Sequence, residues 1–256
     1  MTGVGSSRIP RLMCVHAHPD DESLWTGGTI ARHLQRGGDL AVVTCTWAVG
    51  TPRHTELLDA LDALGAPPEP VMLGYADDRV PDSAPDAERF CIVPFEGVVR
   101  DLVARIRAFR PDVIITYDAF GIYGHPDHVH AHRATYAAAE SAAIPAMYPD
   151  AGPAWQVRSL YYSTIPEWMI DDIKDDLFPD VPREYLPGTP QERIDLALDV
   201  SEWVPQKTKA IAAHRSEVSR SRTIGALMAL PPDKLDRLLG TESYLRRDLA
   251  AGGCPL

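Results

Sequence analysis

The chain has 256 residues, 45% of them hydrophobic and 24% charged, a composition and length that favour one domain with a full core. Twenty-five basic against thirty-six acidic side chains leave a net charge of −11. That balance argues against nucleic acid and anionic lipid as partners, because both are recognised by clustered Lys and Arg.

Arg8 and Arg11 precede an apolar run of only Leu12 to Val15, too short for a signal peptide. That run reads as a first strand, and Ser23 to Gln35 follows with helical spacing, closed by Gly37-Gly38. Leu40 to Cys45 is a near-continuous apolar strand, the pattern expected when both faces are covered. The uncharged stretch it opens, Leu40 to Pro52, has thirteen residues, short of the roughly 20 that span a bilayer. Glu56 to Leu64 reads as helix, Pro70 to Gly74 as strand, Phe95 to Phe109 as helix and Val113 to Tyr117 as strand. Beyond Pro149 the pattern loosens: Ser159 to Ser163 reads as a strand, and Gln191 to Asp199, Gln206 to Val218 and Asp233 to Leu239 as helices. Pro179 to Pro190 is expected to be a surface loop.

Strand alternating with helix predicts an α/β fold of Rossmann-like type. Its sheet should be mostly parallel, with helices on both faces and the ligand site at the carboxyl ends of the strands. One domain over 1–256 is expected, with a core of about 10–150 and a smaller C-terminal subregion of about 151–256. The four cysteines form no disulfide framework, and Cys14 and Cys45 read as small buried hydrophobes. A soluble, cytoplasmic protein acting on a small molecule is the expectation, and a homo-oligomer is compatible with it.

Two clusters follow predicted strands: His16-Ala17-His18-Pro19-Asp20-Asp21-Glu22, and Tyr123-Gly124-His125-Pro126-Asp127-His128 with His130 and His132 beyond. Six of the nine histidines lie in these two windows. A capped turn would account for the proline and one acidic residue, but not for imidazoles beside carboxylates in both windows. Histidine with carboxylate suits zinc, and three protein ligands leave a fourth position open for catalysis. His18 and Asp21, three apart across a strand-to-helix turn, can converge on one ion while Asp20 projects elsewhere. The third ligand must come from the second window, where His128 at a helix start fits best. His130 and His132 are expected on other faces of that helix, and His16 in a supporting role.

His18-Pro19-Asp20-Asp21-Glu22 with Gly27-Gly28, and Gly124-His125-Pro126-Asp127-His128 about a hundred residues on, resemble the N-acetylglucosaminyl-phosphatidylinositol de-N-acetylase (PIG-L/LmbE-like) superfamily. Val15-His16-Ala17, Val43-Thr44-Cys45-Thr46 and Thr116-Tyr117-Asp118 make the wording similar to the actinobacterial mycothiol-pathway branch, its deacetylase and its S-conjugate amidase. The resemblance runs from about Leu12 to Ala138. It implies one zinc ion per chain, held by His18, Asp21 and His128, with iron(II) as an alternative occupant in the cell. It further implies Asp20 as general base, His125 as oxyanion stabiliser or acid, Asp127 as the carboxylate holding that imidazole, and Tyr123 as an oxyanion donor. Tyr123, an aromatic in a Gly-rich loop, can equally serve packing. Arg53 and Asp82 match substrate-gripping positions of the mycothiol branch, with a solvated surface charge as the alternative for both.

One departure bears on substrate. The mycothiol enzymes carry a long insert after the second strand, whereas here Trp47-Ala48-Val49-Gly50 leads almost directly to Arg53. A more open mouth suits a bulkier substrate, such as a thiol conjugate or a glycosylated natural product. The expected activity is therefore zinc-dependent hydrolysis of an amide, in the first place de-N-acetylation of an N-acetylglucosamine-type conjugate. Cleavage of mycothiol S-conjugates is the alternative within the same chemistry. A non-catalytic sugar-binding protein is the alternative of another class, and an intact Asp20 argues against it.

Overall fold

In a computed structural model, which describes residues 8–65 and 69–256, the apolar runs assemble into one seven-stranded sheet. In chain order, β1 (Leu12–His16), α1 (Asp21–Gln35), β2 (Leu40–Thr46), α2 (Pro52–Gly65), β3 (Val71–Tyr75), α3 (Phe95–Phe109) and β4 (Val113–Tyr117) alternate strand with helix. A short helical turn α4 (Gly121–Gly124) leads into α5 (Pro126–Ala142) and β5 (Ser159–Thr164). The remainder comprises α6 (Glu167–Leu177), β6 (Leu196–Asp199), α7 (Val204–Ala213), α8 (Arg215–Arg220), α9 (Arg222–Met228), α10 (Pro232–Leu239) and β7 (Thr241–Asp248). The strand order is β3-β2-β1-β4-β5-β7-β6, with β1 to β5 parallel and β7 antiparallel to both of its neighbours.

The expected α/β fold with a mostly parallel sheet is therefore present. β1 and β4 are buried at every position because helices cover both faces of the sheet. Alternate residues of β1 feed two cores. Met13 and Val15 pack with Val98, Leu102 and Ile106 of α3 and Ala131, Ala134 and Ala138 of α5. Leu12 and Cys14 pack with Ile30 of α1 and Leu57, Leu61 and Leu64 of α2. Among the described residues, no helix is long and apolar enough to cross a membrane.

The second half departs from its sequence pattern: α6 and α9 have no counterpart in it, and three further differences have physical reasons. Gln191 to Asp199 is not a helix: a single 3-10 turn, Gln191–Arg193, precedes the strand β6, which pairs with β7. Four strand residues with an available sheet edge outweigh a helical spacing that has no apolar face to bury. Gln206 to Val218 is divided at His214, whose φ and ψ of −78° and 59° end α7 before α8 begins. The strand β7 carries no apolar alternation. Its buried Glu242 is tolerated because the carboxylate is hydrogen-bonded.

This C-terminal part packs against α1 through Gly28. A Cβ built there would lie 2.5 Å from Val200. The Glu242 carboxylate accepts the Gly28 amide at 2.8 Å and the Thr29 amide at 2.9 Å, and also pairs with Lys207 Nζ at 2.7 Å. The Gly27-Gly28 pair thus admits the segment that closes one side of the cavity described next.

Candidate active site

β1 and β4 end side by side at the centre of the sheet, and the loops after them carry the two histidine clusters. His18 Nδ1, Asp21 Oδ2 and His128 Nε2 form a near-equilateral triangle, with sides of 3.2, 3.3 and 3.4 Å. Donors about 2.0–2.1 Å from a tetrahedral ion stand roughly 3.3 Å apart, so this set fits a zinc-sized ion with a fourth position open. The ring nitrogens of His18, His125 and His128 also fall within 4.8 Å of one another, as do donors of His18, Asp77, His125 and Asp127. The tighter triangle is the better cage, and it combines one carboxylate with two imidazoles.

Each member of the triangle is oriented by a fixed partner. His128 Nδ1 lies 3.2 Å from the Gly121 carbonyl, which places the ring proton there and leaves Nε2 free to ligate. Tyr117 stacks on the same ring with centroids 4.0 Å apart, and its hydroxyl donates to Asp21 Oδ2 at 2.6 Å. Trp25 Nε1 donates to Asp21 Oδ1 at 2.9 Å. Burial would raise the Asp21 pKa, but His128 and His18 hold it well below the usual carboxylate range.

Asp127 differs from its expected partnership. Its Oδ2 stands 3.1 Å from His18 Nε2 and 3.9 Å from His125 Nδ1, and it accepts the Asp78 amide. The carboxylate therefore holds a ring of the triangle rather than His125. The Asp127 backbone amide donates to His125 Nδ1 at 3.2 Å, as at the N-cap of α5. The proton of neutral His125 consequently resides on Nε2. Burial, and after it the closeness of the His18 and His128 rings, pushes the His125 pKa down to about 3, so the ring is a neutral donor.

Asp20 makes no side-chain cap to α1, and its backbone has a positive φ of 138°, which L side chains rarely adopt. That strained turn is fastened on three sides. Glu22 Oε2 accepts the Asp20 amide at 3.0 Å, Arg53 lies 3.0 Å from the Asp20 carboxylate, and Arg53 also donates to the Pro19 carbonyl. Burial raises the Asp20 pKa to about 7 against the opposing pull of Arg53. Glu22 is in turn bound by His214 at 2.8 Å, and Arg53 by Glu217.

Of the two substrate positions inferred by resemblance, Arg53 lines the cavity and Asp82 does not. Arg53 is buried, and its charge is committed to Asp20 and Glu217, with Trp47 5.0 Å from its guanidinium carbon. Asp82 is exposed on a 3-10 turn and does not line the cavity, because Ser83 beside it turns inward to accept the Asp77 amide. The carboxylate on that side is Asp77, two residues past β3, with Arg79 next to it. Tyr123 does line the cavity from the turn α4, where Ile122 takes φ 64°, and burial holds its phenol well above its ordinary pKa. His132 Nδ1 meets the Tyr117 carbonyl at 2.8 Å and His130 packs edge-on to Phe90, both away from the triangle.

Asp77 had one legible sign, an acidic residue at the carboxyl end of a strand. His214, Glu217 and Lys207 had none, since their partners lie more than 160 residues distant or in another element. The cavity lined by Asp77, Glu217 and Lys207 together with His18, Asp20 and Asp21 encloses about 570 Å³, within the usual range for ligand sites.

The family described as GlcNAc-PI de-N-acetylase (PIG-L) matches residues 13–139. A 1D-myo-inositol 2-acetamido-2-deoxy-alpha-D-glucopyranoside deacetylase of Rhodococcus jostii is 37% identical, the match covering 94% of this chain and 93% of the relative. The chain belongs to the PIG-L de-N-acetylase family. By that membership it is a hydrolase of the de-N-acetylase class. The enzyme of the same name from Mycobacteroides abscessus is 35% identical over 94% of this chain and 98% of its own. Among solved structures, the N,N'-diacetylchitobiose deacetylase of Pyrococcus horikoshii shares the fold with a TM-score of 0.63 at 18% identity, covering 93% of this chain and 84% of that one. A 4-carboxy-2-hydroxymuconate hydratase from Pseudomonas putida shares it as well, with a TM-score of 0.57 at 16% identity over 96% of this chain and all of its own. The fold therefore carries more than one reaction, and the chemistry of this PIG-L member must be argued from its site.

Proposed function

We propose that this protein is a zinc-dependent de-N-acetylase of an N-acetylglucosamine-type conjugate, with His18, Asp21 and His128 holding one ion. The observation that carries the reading is the triangle of donors, two of whose members, His18 and Asp21, line the same cavity as the Asp20 carboxylate. A zinc ion bound there supplies Lewis acidity toward the amide carbonyl and toward water. Iron(II) is the alternative occupant, and metal analysis of purified protein distinguishes the two.

The chain's own residues do the rest. Asp20, whose pKa of about 7 suits a group that takes and returns a proton near neutrality, removes the proton from the attacking water. His125, with its proton on Nε2, and Tyr123, with its phenol kept protonated, donate to the oxygen on which charge develops. Arg53 and Glu22 hold Asp20 in its strained turn throughout. Asp77 and Arg79, which line the cavity on the β3 side, are polar groups available to the sugar.

The inositol glycoside in the names of the curated relatives is the first substrate to test. Acetate release with one zinc per chain is expected, with loss of both in His18→Ala and His128→Ala. Folded wild-type protein that binds zinc yet releases neither acetate nor free amine from any N-acetylglucosamine conjugate would refute the reading.

A further inference from the structure

The cavity is far larger than an acetyl group needs, and its two flanks differ in chemistry. On the β3 side of the triangle stand Asp77 and Arg79. On the β5 side the walls given by α6 and α10 are wholly aliphatic or thioether: Met169, Ile173 and Leu177 at four-residue spacing, then Leu238 and Leu239, joined by Leu227 of α9. The charged groups bordering this chamber are spent on one another, Lys207 on Glu242 at 2.7 Å and Arg220 on Glu217 at 2.7 Å. The walls given by α6 and α10 offer a sugar hydroxyl no hydrogen-bond partner, and the hydroxyls that line the cavity, Ser163 and Thr164 of β5, Ser221, Thr223, and Thr241 and Ser243 of β7, stand on other elements. An amide presents two arms that diverge from its carbonyl carbon. If the amino sugar takes the charged flank, the other arm enters the apolar one.

We infer that the β5-side chamber is an acyl site, so that this enzyme hydrolyses amino sugars carrying an aliphatic N-acyl group longer than acetyl. This deepens the de-N-acetylase reading and rests on it for which bond breaks. In the reaction water adds to the carbonyl carbon, the C–N bond breaks, the free carboxylic acid leaves with the chain, and the proton goes to the amine.

The test is a series of N-acetyl, N-butanoyl, N-hexanoyl and N-octanoyl glucosamine with the zinc-loaded full chain, beside the octyl glycoside of N-acetylglucosamine. Each methylene that enters the chamber should raise kcat/KM by up to about fourfold, with no comparable gain from the octyl aglycone. Ile173→Trp and Leu227→Trp, which fill the chamber from two different helices, should each lower the hexanoyl-to-acetyl ratio of kcat/KM at least tenfold. Calorimetric binding of the same amides to Asp20→Asn protein should show the same preference without turnover. Hydrolysis of the acetyl compound with a flat or falling chain-length series would overturn the acyl site and leave the de-N-acetylase reading intact. A gain confined to the octyl glycoside would overturn it too, by assigning the chamber to the aglycone. Tighter binding of longer acyl chains with no hydrolysis of any amide would support the chamber and sink the de-N-acetylase reading instead.

Discussion

Arg53 reaches the Asp20 carboxylate at 3.0 Å from a helix that supplies no other group to that carboxylate, and it is itself anchored by Glu217 of α8. The general base proposed here is thus positioned by a buried three-membered charge chain spanning both halves of the molecule. Arg53→Lys keeps the charge but not the fork. It should lower kcat on the order of 10- to 100-fold through misplacement of Asp20, with KM changed by less than about threefold. Arg53→Gln removes a cation that favours ionised Asp20, so the Asp20 pKa rises further above 7 and the acidic limb of the rate profile moves to higher pH. A rise in KM alone would return Arg53 to substrate gripping.

Asp127 and His125 should separate in experiment. Because Asp127 holds His18 Nε2, Asp127→Asn should weaken metal affinity by about 10- to 100-fold in chelator competition. His125→Ala should leave that affinity in place and lower kcat by about 10²- to 10³-fold. Equal metal affinities in wild type and Asp127→Asn would contradict the partnership seen here.

The pair His214 and Glu22 gives stability a pH signature. Burial opposes the charge on His214, but Glu22 outweighs it and the His214 pKa is raised. A raised folded value means that the stabilisation is complete below the unfolded pKa of about 6.5 and disappears as pH climbs through the folded one. Urea midpoints should accordingly decline above neutrality in wild type and much less in His214→Gln. Parallel curves for the two proteins would refute the linkage.

Two glycines in helices should respond with opposite sign. Gly28→Ala drives a Cβ to 2.5 Å from Val200 and should cost about 1–3 kcal/mol. Gly97 in α3 has no atom within 4 Å of such a Cβ, and Gly97→Ala should stabilise by about 0.5–1 kcal/mol. Chemical denaturation of the two variants tests whether the close approach of α1 to the C-terminal segment is as tight as described.

For substrate contact, Asp82→Ala should leave kcat/KM within about twofold, since exposed charges away from a site seldom matter. Asp77→Asn should reduce it at least about tenfold, as Asp77 lines the cavity and accepts from Trp47. The reverse order would restore Asp82 to the site.

The sequence by itself determined the parallel half of the sheet and the composition of the donor triangle. Runs such as Leu40 to Cys45 are apolar at every position because helices cover both faces, a local signal that needs no partner to be read. His18, Asp21 and His128 were legible because strand ends followed by short turns confine their side chains to one place. Tertiary structure alone decided what surrounds them. β6 and β7 are strands because an open edge beside β5 satisfies their backbone groups, against weak local preference. Asp127 turns to His18 instead of His125 because its neighbour in sequence offers Nδ1 to the Asp127 amide, leaving the carboxylate for a ring brought in from β1. Arg53, His214, Glu217 and the aliphatic flank reach the site only by long-range packing, and no spacing along the chain encodes such distances.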